Sequence, residues 1–328
     1  MTDIAVKIDD RVRLMSALFA ATDYPDAAQA RRPHGTHVHA RSTRRHLAHL
    51  RDHEAARQTQ AILNAGATPE ALFSLALSLR LPHLTLDETP EWVPPAYDAA
   101  LRDFYQTADL DQWWAEEAFE WDKAQADCAR ILSQMDFKAF VEPFAGVISE
   151  RLVFIPNISY PTDYELALRD GDHLYAIVPP RLAWGDSPPW PFDEDAAHVI
   201  RAAIEHYGRM LMTPYFVEHV SQMKAISTTA LPVTAQFASL YPTWQDQFTT
   251  LFLSGMVAIY LEDYVSPREA SSYVLMERRV RGLSSLPAVI SVLRRYLSER
   301  AAGRYDSLQE FLPVFPKQLR IANRIVSL

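Results

Sequence analysis

"ELALRDGDHLYAIVPP" (165–180) decides the fold class. Two short apolar runs of β type flank Asp170-Gly171, a dipeptide that favours a tight hairpin turn. "RLVFIPNIS" (151–159) supplies another such run just before it. Outside this region the sequence reads as helix. Nine glycines in 328 residues are few, alanine, leucine and arginine are abundant, and prolines mark the turns. Helices, then a small sheet, then helices predict an α+β fold, mostly α, in which one sheet packs against at least one helix. The strand at 173–180 is expected to be a sheet edge beside the helix that follows it.

Working outward, the chain divides into an N-terminal helical region (1–139), a strand and helix core (140–225) and a C-terminal helical region (226–328), read together as one compact unit. "VRLMSALFAA" (12–21) is too short to span a bilayer and lacks a basic leader, so it predicts a core helix. Residues 23–35 read as a loop. Helices are expected near 40–65 and 69–80, with Thr68 as N-cap and Gly66 as a stop, and over 96–139. After the proline-tryptophan loop 179–192, helices follow through 195–212, a buried one at 248–265, and amphipathic ones near 267–281 and 284–300.

The composition excludes several classes of function. A net charge of −9 disfavours nonspecific binding to nucleic acid or to anionic membrane. The one dense basic stretch, with Arg41, Arg44, Arg45 and Arg51, has no interleaved aromatic platform and reads as a solvated helix face. The single cysteine, Cys128, rules out an intramolecular disulfide and reads as a buried apolar residue, so a cytoplasmic setting is expected. No Gly-x-Ser-x-Gly elbow and no phosphate-cradling glycine loop is present.

The helix after the strands contains "IEHYGRMLMTP" (204–214). A zinc protease helix needs His-Glu-x-x-His, because histidines four apart share a helix face and aim at one metal, with the glutamate as general base. Here the order is Glu205-His206-Tyr207-Gly208-Arg209. Ile200, Ala203, Ile204, Tyr207 and Leu211 make the apolar stripe, and Glu205 and Arg209 share a neighbouring face. Glutamate four residues before arginine is the favourable order for a helix ion pair, worth about 0.3–0.5 kcal/mol when exposed. A helix-stabilising salt bridge is the plain reading of the pair.

Four segments together resemble an uncharacterised bacterial domain family described as gluzincin-type zinc metallopeptidases. They are "DDRVRLMSALFAATDYPD" (9–26), "HLAHLRDHEAARQTQAILNAGATPEALFSLALSLRLP" (46–82), "HLYAIVPP" (173–180) with the helix ending "MLMTP" (210–214), and "VISVLRRYLSERAAGRYDSLQEFLP" (289–313). The resemblance runs over nearly the whole chain and implies a zincin-like fold. Anchored on "MTP", it carries the two zinc histidines onto Glu205 and Arg209 and the catalytic glutamate onto His206. The third ligand, a glutamate in the family, falls at Ser254, with Glu262 and Asp263 two turns further on. All of these positions depart from the pattern. The resemblance thus implies a pseudoenzyme with no metal, in which the Arg209 cation neutralises Glu205 where zinc would have been.

Other arrangements compete. Glu205-His206 recurs as Glu218-His219, and with His198 upstream these could form a rearranged zinc or other metal site. His46, His49 and His53 share a helix face near His34, His37 and His39; solvated or structural histidines are the plainer reading. Trp113, Trp114 and Trp121 have helical spacing and suggest core, whereas Trp184 and Trp190 lie in a loop and are candidates for contact with a partner. The expected function is peptide or protein binding, without catalysis, through the former cleft lined by Tyr175, Trp184, Trp190, Glu205 and Arg209. The alternatives are a metal-dependent hydrolase using His206 with Glu205, Glu218 or His219, and a purely structural protein.

Overall fold

The computed structural model describes residues 3–31, 35–159, 164–182 and 187–326. The chain opens with a short strand, β1 (Ile4–Val6), and α1 (Asp10–Ala21), whose N-cap Asp9 accepts from the Arg11 amide. Residues 12–21 of α1 are all buried, so it is surrounded by protein. Five shorter helices follow as α2 (Tyr24–Arg31), α3 (Val38–His46), α4 (Glu54–Asn64), α5 (Pro69–Ser78) and α6 (Tyr97–Thr107). Thr68 caps α5 through its side chain, as its position before proline predicts, and Gly66 takes a left-handed φ of 97° after α4. Residues 24–31, expected as loop, form α2 instead.

The expected long helix over 96–139 is broken into α6, α7 (Leu110–Glu116), α8 (Ala118–Leu132) and α9 (Phe137–Ala145). Ala96 and Asp109 precede α6 and α7 with φ of 59° and 45°, and Leu84 has φ of 50°. Left-handed backbone at a residue with a Cβ costs roughly 1–2 kcal/mol, so the surrounding packing must hold these corners.

Three strands follow: β2 (Arg151–Pro156), β3 (Leu166–Asp170) and β4 (His173–Val178). The sheet order is β1-β2-β4-β3, with β1, β2 and β4 parallel and β3 antiparallel to β4. Asp170 pairs with His173 across a turn in which Gly171 has φ of 56°. The strand over 173–178 is therefore interior, contrary to the expected edge. The hairpin folds it into the gap between β2 and β3, and all of its residues after His173 are buried, the signature of a strand covered on both faces. The sheet edges are β1 and β3.

The remaining helices are α10 (Ala196–Glu218), α11 (Val220–Ser227), α12 (Ala235–Leu240), α13 (Trp244–Tyr260), α14 (Pro267–Val280), α15 (Leu286–Ala301), α16 (Leu308–Phe311) and α17 (Phe315–Val326). Residues 248–260 of α13 are buried, as the largely apolar run predicts, and a π-helical turn over Leu261–Val265 ends it. The fold is α+β and mostly helical. Among the described residues no helix is long and apolar enough to cross a membrane.

The chain makes two compact units. One comprises residues 1–135 and 150–199; the other comprises 136–149 and 200–328. This partition differs from the three regions read from composition, because β1 pairs with β2 and draws the sheet into the unit of the N-terminal helices. In that unit Val153, Ile155, Tyr175 and Ile177 from the sheet share a core with Leu14, Leu18, Phe73 and Leu77 from the helices. In the other unit Phe248 and Phe252 of α13 meet Phe315 of α17, and the Tyr296 hydroxyl donates to the Pro143 carbonyl at 2.6 Å.

Candidate functional site

Glu205 and Arg209 of α10 lie in the second unit and meet α14 and α13. Gly208 makes the close approach possible: a Cβ built on it would stand 2.5 Å from Leu253 Cδ2 of α13. One turn of α13 before Ser254, Thr250 accepts a hydrogen bond from Arg209 Nη2 at 3.1 Å. Residues 208 and 209 of α10 therefore look toward the part of α13 that carries 250 and 253.

Glu205 does not pair with Arg209. Its Oε2 lies 2.9 Å from Arg201 Nη1, one turn earlier on α10, while Arg281 after α14 approaches both carboxylate oxygens at 3.5 Å. The Tyr273 hydroxyl of α14 donates to Glu205 Oε1 at 3.2 Å. Tertiary donors from α14 thus meet the carboxylate, and Arg209 turns to the Thr250 hydroxyl. Arg281 is shared, since its Nε also lies 3.3 Å from Glu277 Oε2. Two guanidinium groups, Arg201 and Arg281, balance two carboxylates, Glu205 and Glu277, with little exposure of any of the four side chains.

Burial pushes the Tyr273 hydroxyl well above its ordinary pKa, and the Glu205 and Glu277 carboxylates add to this; Arg281 and the Ser254 hydroxyl pull weakly the other way. Tyr273 is therefore a neutral donor. Burial opposes the charge of Arg281, but Glu205 and Glu277 outweigh it and raise its pKa above that of a free arginine. Ser254 is fully buried on α13. Tyr207 is also fully buried, edge-on to Phe137 at 5.4 Å, and burial alone raises its hydroxyl pKa.

This donor set does not fit zinc. A zinc site needs neutral imidazole, thiolate or carboxylate donors with a free lone pair directed at the ion. Here the Glu205 oxygens receive donors from two arginines and a tyrosine, and Arg209 is a cation without a lone pair to offer. A dication placed beside Glu205 would face both guanidinium charges.

The rearranged metal set is not brought together either. Glu218 stands thirteen residues beyond Glu205 on the same helix, which separates them by roughly 20 Å along its axis. Glu218 is exposed, and His219 packs edge-on against Tyr215 at 4.5 Å. His206 is partly buried on α10. His198 belongs to the first unit, where its Nε2 contacts the Pro179 carbonyl at 3.0 Å. Among the described residues no three His, Cys, Asp or Glu side chains converge on a point that could hold a metal ion.

The other candidates have structural employment. Tyr175 is buried in the core of the first unit, with the Lys7 ammonium 5.5 Å from its ring. Trp190 is half-exposed, and its amide donates to the Arg181 carbonyl at 2.9 Å. Trp184 and His34 lie outside the described residues. His37 and His53 cap α3 and α4. His46 stacks on Trp113 with centroids 4.3 Å apart, and His39 Nδ1 lies 2.9 Å from Glu117 Oε1. Arg44 and Arg51 of the basic stretch pair with Asp26 at 2.6 and 3.3 Å. Cys128 is buried, and burial with the Asp127 charge pushes its thiol well up, the opposite of an activated nucleophile.

Arg201, Tyr273, Glu277 and Arg281 did not emerge from the sequence as site residues. Two signals for them are present: Arg201-Glu205 and Glu277-Arg281 are both spaced four apart. Only the meeting of α10 with α14, which joins residues more than sixty apart, turns those local pairs into one network.

Compared with family models, with curated proteins and with solved structures, the chain has no match in any of the three.

Proposed function

We propose that this chain is a catalytically inactive, metallopeptidase-like protein of zincin-like fold that binds an extended peptide or a segment of a partner protein. The observation that carries the reading is the closure of Glu205 by Arg201, Arg281 and Tyr273. The resemblance assigns zinc-site roles to 205, 209 and 254; α10 meets α13 through Arg209-Thr250, one turn before 254, and meets α14 through Glu205-Tyr273. Guanidinium charge from Arg201 and Arg281 serves there in place of a metal ion. This modifies the charge-balance expectation, which gave that role to Arg209.

The partner is taken up along the outer edge of β3. Extended peptides add to an open sheet edge by main-chain hydrogen bonds and need no metal. β3 is the antiparallel edge strand of the hairpin that leads into α10, and among the described strands it pairs with β4 alone. Half-exposed Trp190 belongs to the same unit and offers an aromatic contact.

Two measurements test the reading. Metal analysis of the purified full chain, followed by zinc titration, is expected to give no stoichiometric zinc; bound zinc that is lost on His206→Ala overturns the inactive-site reading in favour of a metal-dependent hydrolase. Hydrogen exchange with a library of extended decapeptides is expected to slow amides within 166–170. Peptide binding that leaves this strand unprotected would place the partner elsewhere, and no binding by any member would favour a purely structural role.

A further inference from the structure

In the first unit α3 lies as a polar strap against α1. Its nine residues bury only two small side chains, Ala40 and Thr43, and the next apolar anchor, Leu47, comes after the last turn. Val38 at the other end is half-exposed. A helix of this length is not stable in isolation, and so little apolar burial does not hold it in place. Polar contacts must fasten α3, and segments held in this way open first in a native protein.

Toward its C-terminal end His46 stacks on Trp113 and Arg44 pairs with Asp26. Near the N-terminal end the fastening is His39. Its Nδ1 lies 2.9 Å from Glu117 Oε1 and its Nε2 lies 3.8 Å from Glu120 Oε2, both at the start of α8. A neutral imidazole has one N–H and one lone pair, so it would turn a lone pair on one of these carboxylates; the imidazolium presents an N–H to each. His39 and Glu117 are both nearly buried, where solvent screens their attraction little. Among the described residues no other cation is in contact with Glu117, although Arg13 of α1 acts on it from further off. His37 stacks 5.4 Å from His39 and accepts the His39 amide through Nδ1, which requires a neutral ring. Burial, with the His39 and Arg41 charges, lowers the His37 pKa to about 4 and keeps that ring neutral at higher pH. Arg13 and Arg41 keep their charge throughout.

We propose that α3 is a pH-sensitive strap, latched to α8 by the His39 imidazolium between Glu117 and Glu120 and released from α1 when His39 loses its proton. The sign follows from the partners. A histidine that gains carboxylates on folding holds the latch at low pH, and the hold is lost as the pH rises. Release leaves Glu117 with a charge that its nearest cation no longer balances, which favours opening α3 and admitting water.

The test follows amide hydrogen exchange of the full chain from about pH 5 to about pH 8, with each rate divided by the intrinsic exchange rate at that pH. Protection of the α3 amides is expected to fall about tenfold or more over this range, in step with the His39 ring signals, while α5 stays protected. His39→Gln keeps a neutral donor and should leave α3 weakly protected at every pH. His39→Lys keeps the charge and should hold α3 closed at the upper end of the range. Should these variants fail to fold, Glu120→Gln at the half-exposed partner reads the same latch: it is expected to move the His39 titration and the opening of α3 together to lower pH. Protection of α3 that does not change with pH would overturn the proposal. So would a pH dependence that survives in His39→Gln, which would assign it to His46, or a loss spread evenly over the first unit, which would make it global. None of these outcomes bears on zinc or on the β3 edge.

Discussion

Arg281 reaches back 76 residues along the chain to place its guanidinium 3.5 Å from the Glu205 carboxylate, while its Nε holds Glu277 at 3.3 Å. One arginine thus neutralises carboxylates on α10 and α14 together, and Arg201 completes the balance. Removing one partner of a buried ion pair costs more than the pair contributes, because the remaining charge stays out of water.

Arg281→Met is therefore expected to destabilise the second unit by about 2–3 kcal/mol, below the full range for a wholly buried pair because a quarter of the arginine is exposed. Glu205→Gln in the same background should recover part of the loss, with a coupling of about 1 kcal/mol or more. Denaturant midpoints of the two single variants and the double variant measure both quantities. A loss under about 0.5 kcal/mol for Arg281→Met would show the network to be an ordinary surface pairing.

Local signals were sufficient for Thr68, Gly66 and the Asp170-Gly171 hairpin, where capping, left-handed backbone and turn chemistry are decided within a few residues. β1 is not legible because three residues carry no period, and the strand exists through parallel pairing with residues 152–154. The edge assignment failed although "HLYAIV" lacks the alternation of a half-exposed strand, which is the mark of an interior one. Glu205 and Arg209 stand out in the sequence by their spacing, yet their tertiary partners come from α13 and from α14 and its C-terminal end, and no helix periodicity specifies which face of α10 those helices meet.

His37 supplies a pH test in the first unit. Burial, with the nearby His39 and Arg41 charges, lowers its pKa from 6.5 to about 4. Below pH 6.5 the unfolded chain takes up a proton that the folded chain refuses, so stability present at neutral pH is lost as the pH falls from 6.5 toward 4. The full linkage is about 3 kcal/mol. His37→Asn keeps an acceptor for the His39 amide that His37 now caps. The stability of the native chain relative to this variant should fall over that pH interval and stay constant above pH 7. Parallel curves for the two proteins, from urea midpoints at each pH, would show that His37 protonates freely in the fold.

Asp9 titrates at the opposite limit. Burial alone would raise its pKa, but hydrogen bonds and charge from Arg11 and Lys7 prevail and hold it at about 2 rather than 3.8. A depressed carboxylate stabilises the fold at every pH above its unfolded value, and the contribution disappears as the pH drops from about 4 through about 2. The difference corresponds to about 2 kcal/mol. Asp9→Asn, which can still cap α1, should lose that amount at pH 7 and nothing further on acidification. An unchanged acid-unfolding profile in the variant would show that the Lys7 and Arg11 contacts contribute little.

Two helical glycines allow a comparison that local propensity cannot make. Alanine is favoured over glycine inside a helix by about 1 kcal/mol, so propensity alone predicts equal gains from Gly208→Ala and Gly255→Ala. Packing separates them. A Cβ at 208 meets only Leu253, closest at Cδ2, the end of a side chain that can rotate. A Cβ at 255 meets Leu293 Cδ1 at 2.7 Å and Val289 Cγ1 at 2.8 Å on α15. Valine is held in one rotamer on a helix and cannot give way. Overpacking of this kind costs about 1–3 kcal/mol. Gly208→Ala should thus remain within about 1 kcal/mol of the native chain, whereas Gly255→Ala should be destabilised by about 1–2 kcal/mol even after its propensity gain. Thermal or urea unfolding of both variants ranks them, and the reverse order would mean that α10, rather than α15, is the helix that cannot move away from α13.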